Sequence, residues 1–145
     1  MTDHASGAPV GRVCIVGAGS SGITAAQVLH ARGVDFDCFE LGSEVGGNWR
    51  YDNDNQLSSA YESLHITTSR QLMEYAAYPM PADLPDYPNH RQIAAYFDDF
   101  VDHFGFRDRI RFRTEVVKVA PVSVERNRPF LVAASSVAAF TTTRS

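Results

Sequence analysis

The chain's strongest constraint lies in residues 13 to 22, VCIVGAGSSG, where an apolar run leads straight into a G-x-G-x-x-G turn. Three glycines at this spacing occur in many loops, so the flanks carry the weight. Val13-Cys14-Ile15-Val16 is continuously apolar, the pattern of a central parallel strand covered on both faces. After the turn, Ile23, Ala26 and Leu29 recur at helical spacing, and Gly33 closes the segment as a helix C-terminal glycine. The spacing predicts a helix over residues 22–32. Asp35 to Glu40 then reads as a second strand, with Phe36, Cys38 and Leu41 on or near one face. Residues 12–41 therefore spell strand, glycine-rich turn, helix, strand, and the second strand ends in an acid 18 residues after Gly22.

Each residue type in this unit has a physical reason. Gly17 permits a tight turn, Gly19 lets a pyrophosphate approach the backbone, and Gly22 lets the helix pack close to the strand. The helix N-terminus offers free N–H groups and the positive end of a dipole, with Ala18, Ser20 and Ser21 beside it. Glu40 can accept hydrogen bonds from ribose hydroxyls, and its charge disfavours a 2′-phosphate at this site.

From Leu41 to Pro88 the chain is rich in turns, marked by Gly46-Gly47, by Asp52 to Asn55 and by prolines at 79, 81, 85 and 88. So long an irregular stretch inside a compact domain points to function. Asn89 is placed to cap a helix running to about His103, with an apolar stripe of Ile93, Tyr96 or Phe97, Phe100 or Val101, and Phe104. Gly105 ends it. Residues 109–119 alternate at first and read as a strand, with Arg109, Arg111 and Arg113 as its solvated face. Residues 129–145 hold one charged residue, Arg144, and show neither helical nor strand periodicity. The expected division is a polar lead over 1–10, a dinucleotide-binding domain over 11–120 and an atypical low-complexity tail over 121–145.

Composition narrows the classes. A length of 145 residues suits one domain, and 44% hydrophobic with 21% charged residues is ordinary for a globular chain. The net charge of −4 gives no electrostatic footprint for nucleic acid or an anionic membrane. No apolar run approaches the roughly 20 residues that span a bilayer. Two cysteines, Cys14 and Cys38, are too few for a disulfide framework or a four-ligand zinc site. Both fall in apolar strand runs and are expected as buried free thiols, which fits a reducing, cytoplasmic location. No metal site and no catalytic residue is assigned; His65, His90 and His103 read as structural or capping histidines.

Several ordered motifs together resemble the flavin-containing monooxygenases, including their bacterial and Baeyer–Villiger relatives. These are GAGSSG at 17–22, Glu40, GGNW at 46–49, YESLHITTSR at 61–70, and the run from Tyr78 to Phe106. The resemblance covers roughly residues 12–119. It implies an α/β fold, a partial doubly wound, Rossmann-like FAD-binding domain with strands near 12–17, 35–40 and 109–119 in one parallel set. It also implies FAD at the glycine-rich turn, with Gly17 to Gly22 on the pyrophosphate and Glu40 on the ribose. Asn48 and Trp49 would lie near the flavin. Thr67 and Thr68 match positions that meet FAD, Ile66 and Thr67 positions that meet NADP, and Val116 a strand position whose backbone meets adenine. Read from the residues alone, Trp49 is either a ring platform or a core plug, and the threonines are also ordinary turn residues.

The implied activity is NADPH-dependent oxygenation of a nitrogen, sulfur or ketone substrate. Two departures bear on it. The family often has Asn where this chain has Thr67, which lacks the amide's paired donor and acceptor. The chain also shows no second G-x-G motif for NADPH and no F-x-G-x-x-x-H segment. The expectation is an N-terminal fragment, by truncation or a frame shift near residues 121–130, with little or no turnover alone. The alternative is a non-catalytic dinucleotide-binding stub or one part of a split flavoprotein. A disulfide reductase is disfavoured because no C-x₄-C or C-x-x-C pair is present, and a simple NAD dehydrogenase because GGNW fits FAD better.

Overall fold

The structure, a computed structural model, describes residues 11–122 and 130–137; the lead and parts of the expected tail lie outside the described residues. Strand β1 (Val13–Val16) leads through the glycine-rich turn into helix α1 (Ser20–Ala31), and strand β2 (Phe36–Phe39) returns parallel to β1. Val13 lies opposite Phe36 and Val16 opposite Phe39. A two-residue strand, β3 (Ile110–Arg111), pairs parallel to the other side of β2, so the sheet order is β1-β2-β3. The mixed α/β architecture agrees with the fold class the sequence implies. Helix α1 starts two residues earlier than the apolar spacing suggests, so Gly22 sits inside its first turns. It ends as expected: Gly33 adopts φ +64° and donates its N–H to the His30 carbonyl at 3.1 Å.

A single-turn helix, α2 (Arg70–Met73), interrupts the irregular stretch, and α3 (His90–Phe104) follows it. Both ends of α3 carry the expected residues, Asn89 and Gly105, and Gln92 adds a bond the sequence reading did not name. Asn89 Oδ1 accepts from the Arg91 and Gln92 N–H groups at 3.0 Å each, and Gln92 Oε1 accepts from the Asn89 N–H at 3.0 Å. This is a complete capping box. Gly105 closes the helix at φ +71°. The stripe Ile93, Tyr96, Phe97, Phe100 and Val101 is buried, and it meets Ile23 and Ala26 of α1 and Ile15, Phe36, Cys38 and Ile110 of the sheet in one core.

That core covers only one face of the sheet. Partners in a parallel ladder point the same way, so Cys14, Val16, Asp37, Phe39 and Arg111 share the opposite face. There Cys14 is exposed and Val16 is 61% exposed. The expectation of a doubly covered β1 with a buried Cys14 is thus corrected. Only Cys38 is buried, and burial pushes its thiol up to about 12. The three arginines are also more than a solvated face. Arg109 pairs with Asp35 at 3.1 Å, Arg111 with Asp37 at 3.2 Å and Arg113 with Asp54 at 3.4 Å. Arg12 joins the second pair, donating to Asp37 Oδ1 at 2.9 Å.

The expected strand 109–119 is two strands in two sheets. After β3, Arg113 takes a left-handed φ of +50°, which turns the chain out of the parallel sheet. Residues Thr114–Pro121 form β4, which pairs antiparallel with β5 (Phe130–Ser136), Val119 opposite Val132. Part of the aperiodic tail is therefore a strand. No alternation marks it because neither face of the two-stranded ribbon is buried: Val117, Val119, Phe130 and Leu131 all stand more than half exposed.

The irregular segment is anchored by tyrosines. The Tyr75 N–H donates to Tyr96 Oη at 2.8 Å, Tyr96 O–H donates to the Tyr78 carbonyl at 2.5 Å, and Tyr75 O–H donates to the Ser20 carbonyl at 2.9 Å. The aromatic stripe of α3 thereby reaches the first turn of α1.

Two measurements check this fold. A thiol reagent should label Cys14 alone in the native chain and both cysteines in denaturant, because buried Cys38 presents almost no thiolate. Asp37 is held below the usual carboxylate range, first by the Arg12 hydrogen bond and then by the charges of Arg12, Arg111 and Arg109, against a desolvation that opposes them. A carboxyl lowered in the folded state contributes its stability above its unfolded range and loses it as pH falls through the lowered value. Resistance to urea should therefore weaken as pH drops below about 4, and Asp37→Asn should flatten that acid limb while lowering stability at pH 7.

Candidate dinucleotide site

The site is built where β1, β2 and two glycine turns converge. Gly17 takes φ +92° and donates its N–H to the Phe39 carbonyl at 2.7 Å, which ties the turn to β2. Gly22 is required by space: a Cβ there would lie 1.9 Å from the Gly17 carbonyl oxygen. Gly19 is the N-cap of α1. No side chain caps that end and no acid sits in its first turn, so the first-turn N–H groups are left to an external acceptor.

Glu40 closes the turn from below. Its carboxylate is buried, 4% exposed; Oε2 accepts the Ala18 N–H and Oε1 the Gly42 N–H, each at 2.7 Å. The Asn55 side-chain amide approaches Oε1 at 3.5 Å. Two charge-assisted bonds offset the desolvation of the buried charge. Carboxylate oxygens carry further lone pairs, and Glu40 also lines the neighbouring cavity.

The second glycine pair packs backbone against backbone with the first. Gly46 (φ +117°) donates its N–H to the Ala18 carbonyl at 3.0 Å. Gly47 (φ +52°) would place a Cβ 3.1 Å from Gly19 Cα. Arg50 fixes this turn to α3, donating to the Val45 carbonyl at 2.9 Å and to Asp98 Oδ2 at 2.6 Å. Asn53 is buried and donates its side-chain amide to the Gly47 carbonyl at 3.1 Å.

Two cavities open around these turns, and they share Val16, Gly17, Gly19 and Asn48. The one on the Glu40 side has a volume of about 420 Å³ and reaches Thr114 and Val116 of β4. The one on the α1 side, about 290 Å³, is lined by Ser20, Ser21, Gly22, Gly46 and Trp49 as well. Trp49 packs against the core and also walls this cavity. Asn48 spends its side-chain oxygen on the Ser59 N–H at 2.7 Å and hydroxyl at 2.8 Å, which holds the 58–59 loop beside the groove.

The expected site residues thus divide. Gly17, Gly19, Glu40, Asn48 and Val116 meet in the first cavity; Gly17, Gly19, Ser20, Ser21, Gly22, Asn48 and Trp49 meet in the second. Ala18 is fully buried and contributes its backbone, to Glu40 and Gly46. Ile66, Thr67 and Thr68 line neither cavity: Ile66 is a core residue, and its N–H bonds to the Pro88 carbonyl at 3.0 Å. Both threonine residues are exposed. Sequence reasoning missed Asn55, Leu57, Ser58, Thr114 and Glu115, which also line the first cavity. Asn53 and Asn55 lie in the turn cluster it noticed, without a sign of their partners. Among the described residues no group of three or more His, Cys, Asp or Glu could hold a metal ion, and no helix is long and apolar enough to cross a membrane.

A parallel α/β unit with an open helix N-terminus, a ligand-sized groove and an acid at the end of β2 defines a dinucleotide-binding protein. Comparison with known sequences sharpens the class. The family described as flavin-binding monooxygenase-like matches residues 10–127, and the chain belongs to that family. It is 33% identical over 110 residues to flavin-containing monooxygenase 5 of Rattus norvegicus, covering 74% of this chain and 21% of that protein. It is likewise 33% identical over 132 residues to the Arabidopsis thaliana flavin-containing monooxygenase FMO GS-OX-like 5, covering 78% of this chain and 29% of the relative. Among solved structures, the S-allyl-L-cysteine S-oxygenase of Allium sativum superposes with a TM-score of 0.74 at 29% identity, over 86% of this chain and 32% of that one. A steroid monooxygenase bound to NADP shares the fold at 24% identity, with a TM-score of 0.72 over 85% of this chain and 23% of that one. The chain thus spans between a fifth and a third of the length of these relatives.

Glu40→Gln should destabilise the ligand-free chain by about 1–3 kcal/mol in urea unfolding, because one amide group would then face a backbone N–H donor. Gly22→Ala should cost at least as much, because the Cβ clash is with backbone.

Proposed function

We propose that this chain holds FAD, with the diphosphate at the N-terminus of α1 and the adenosine in the cavity floored by Glu40. The observation that carries the reading is the bare N-terminus of α1, which opens on a cavity bounded by two glycine turns. In the same chain α3 has its N-terminus closed by a capping box. The groove also has room for the group. Gly19 and Gly47 contribute no side chains where the backbones converge, and a cavity of about 420 Å³ beside Glu40 gives room for a nucleoside.

In this arrangement the first-turn amides of α1, with Ser20 and Ser21, bind the diphosphate. Glu40 orients the ribose, Val116 offers backbone to the adenine, and Asn48 with Trp49 borders the flavin. Thr67 and Thr68 would add a further FAD contact, and Ile66 and Thr67 the NADP contact, from outside the two cavities, as the family resemblance implies. Bound FAD would supply the redox chemistry by which NADPH and oxygen are used on a nitrogen, sulfur or ketone substrate. That oxygenation is proposed for proteins of the relatives' full length, with this segment as their FAD-holding part. A second reading, a nucleotide-binding module without turnover, is favoured by one observation: the ionisable side chains lining the two cavities are Glu40 and Glu115 only.

Equilibrium binding tests the assignment. FAD should bind, ADP should displace it and riboflavin should not. Val116→Trp, which fills the adenosine cavity away from the glycine turns, should weaken FAD and ADP by about tenfold or more, or about 1.4 kcal/mol, with an unchanged melting temperature. FAD binding that ADP does not displace sinks the proposal. NADPH oxidation by the FAD-loaded chain would separate the catalytic reading from the module.

A further inference from the structure

An anion at the first turn of α1 must meet N–H groups and no bare carbonyl oxygen. The turn meets this condition by giving each of its carbonyls a donor from this chain. The Gly17 carbonyl faces the Cys38 thiol at 3.8 Å, the Ala18 carbonyl accepts the Gly46 N–H at 3.0 Å and the Gly19 carbonyl the Ile23 N–H at 3.0 Å. Two hydroxyls cover the Ser20 carbonyl: Thr24 donates to it at 2.7 Å and Tyr75 at 2.9 Å. Thr24 lies one helical turn along α1 itself. Tyr75 comes from the irregular segment, 55 residues further along the chain. Neither the glycine spacing nor the helix explains its presence there.

The core sets the Tyr75 ring. Its centroid lies 4.6 Å from that of Phe100 and 5.7 Å from that of Tyr96, and the Tyr75 N–H donates to Tyr96 Oη at 2.8 Å. Burial pushes the phenol up, against a smaller lowering by a hydrogen bond with Thr24, so the hydroxyl stays a donor at neutral pH. Ser20 and Ser21 line the α1-side groove and also a cavity of about 570 Å³ beside Thr24 and Tyr75, whereas Tyr75 lines only the latter. The hydroxyl therefore reaches the turn from outside the groove and acts on a ligand there only through Ser20.

The Ser20 carbonyl and the Ser21 N–H belong to one peptide plane. In a helix the carbonyl points toward the C-terminus and the N–H toward the N-terminus, and no side chain caps that end of α1. A donor on the carbonyl fixes the plane. It also strengthens the N–H as a donor, because linked hydrogen bonds polarise one another. We propose that Tyr75 is a positioning residue for the cofactor's diphosphate, its hydroxyl orienting and polarising the Ser20–Ser21 peptide whose N–H opens on the groove. The proposal rests on the assignment of the groove to FAD.

Titration of the full chain with ADP and with adenosine tests it, and the Ser21 amide proton reports on the ligand-free state. Tyr75→Phe keeps the ring and its backbone bond and removes the hydroxyl. It should weaken ADP and FAD by about threefold or more, the size of one modest hydrogen bond, and leave adenosine unchanged. The Ser21 amide proton should move upfield. Tyr96→Phe loosens the same aromatic cluster without touching Ser20, and should leave the ratio of ADP to adenosine affinity as it is. 3-Fluorotyrosine at position 75, a more acidic donor of nearly the same shape, should tighten ADP and move the amide downfield; it decides should Tyr75→Phe fail to fold. A ratio unmoved by Tyr75→Phe overturns the proposal. So does an equal fall in Tyr96→Phe, or a Ser21 amide that ignores both changes at position 75. In each of these cases ADP that still binds more tightly than adenosine leaves the FAD reading standing. An unmodified chain that binds ADP no more tightly than adenosine refutes the FAD reading itself, and the role of Tyr75 falls with it.

Discussion

A single buried carboxylate joins the parts that make the groove. Glu40 directly follows β2, yet its two oxygens are committed to the Ala18 N–H in the first glycine turn and the Gly42 N–H at the start of the irregular segment. A carboxylate with 4% exposure is tolerable only when its lone pairs are met. Here the requirement runs in both directions: the turn satisfies the charge, and the charge fixes the turn. Gly17 is held to Phe39 on the same strand, so the path from β1 into α1 is set by β2 before any ligand arrives. Gly46 and Gly47 can then lie against Ala18 and Gly19 because neither turn carries a side chain at the contact. The groove is a preorganised shape of the backbone, and a preformed site loses less entropy on binding.

Much of this was legible in the sequence because each signal was local. The reciprocal bond from Gln92 was not noticed, whereas the Asn89 cap, the stripe of α3 and the glycines at 33 and 105 act within a few residues of where they stand. The same holds for Gly17 and Gly22, each demanded by a backbone angle or a contact inside one turn. Illegible features depended on distant partners. Arg50 pins the second glycine turn through Asp98 on α3, and nothing in residues 46–50 points to that acid. The break at Arg113 was hidden because an arginine carries no mark of a left-handed φ, whereas a glycine would have shown it. Strand β5 was invisible because period-2 alternation appears only where one face is buried.

The exposed face of the sheet is an instructive disagreement. Val13-Cys14-Ile15-Val16 has the composition of a strand covered on both faces, and the structure covers one. Composition reports the environment for which a strand is suited; exposure reports what lies beside it among the described residues. The gap between the two falls on the strand that feeds the glycine turn, and Val16 belongs both to the uncovered face and to the groove.

The two long helices show how stability and binding are linked here. Helix α3 closes its N-terminal donors internally, through Asn89 and Gln92. Helix α1 leaves them open behind Gly19, and forgoes the few tenths of a kcal/mol by which a capping side chain exceeds glycine. Open donors at a helix terminus are an unfulfilled requirement that an anionic ligand meets with its own oxygens. A ligand that binds the folded chain alone stabilises it, by about 2.7 kcal/mol at a hundredfold excess over its Kd. Under the proposed function, the missing cap on α1 is a place held for diphosphate. The same absence of side chains that lets Gly19 meet Gly47 leaves those amides within reach.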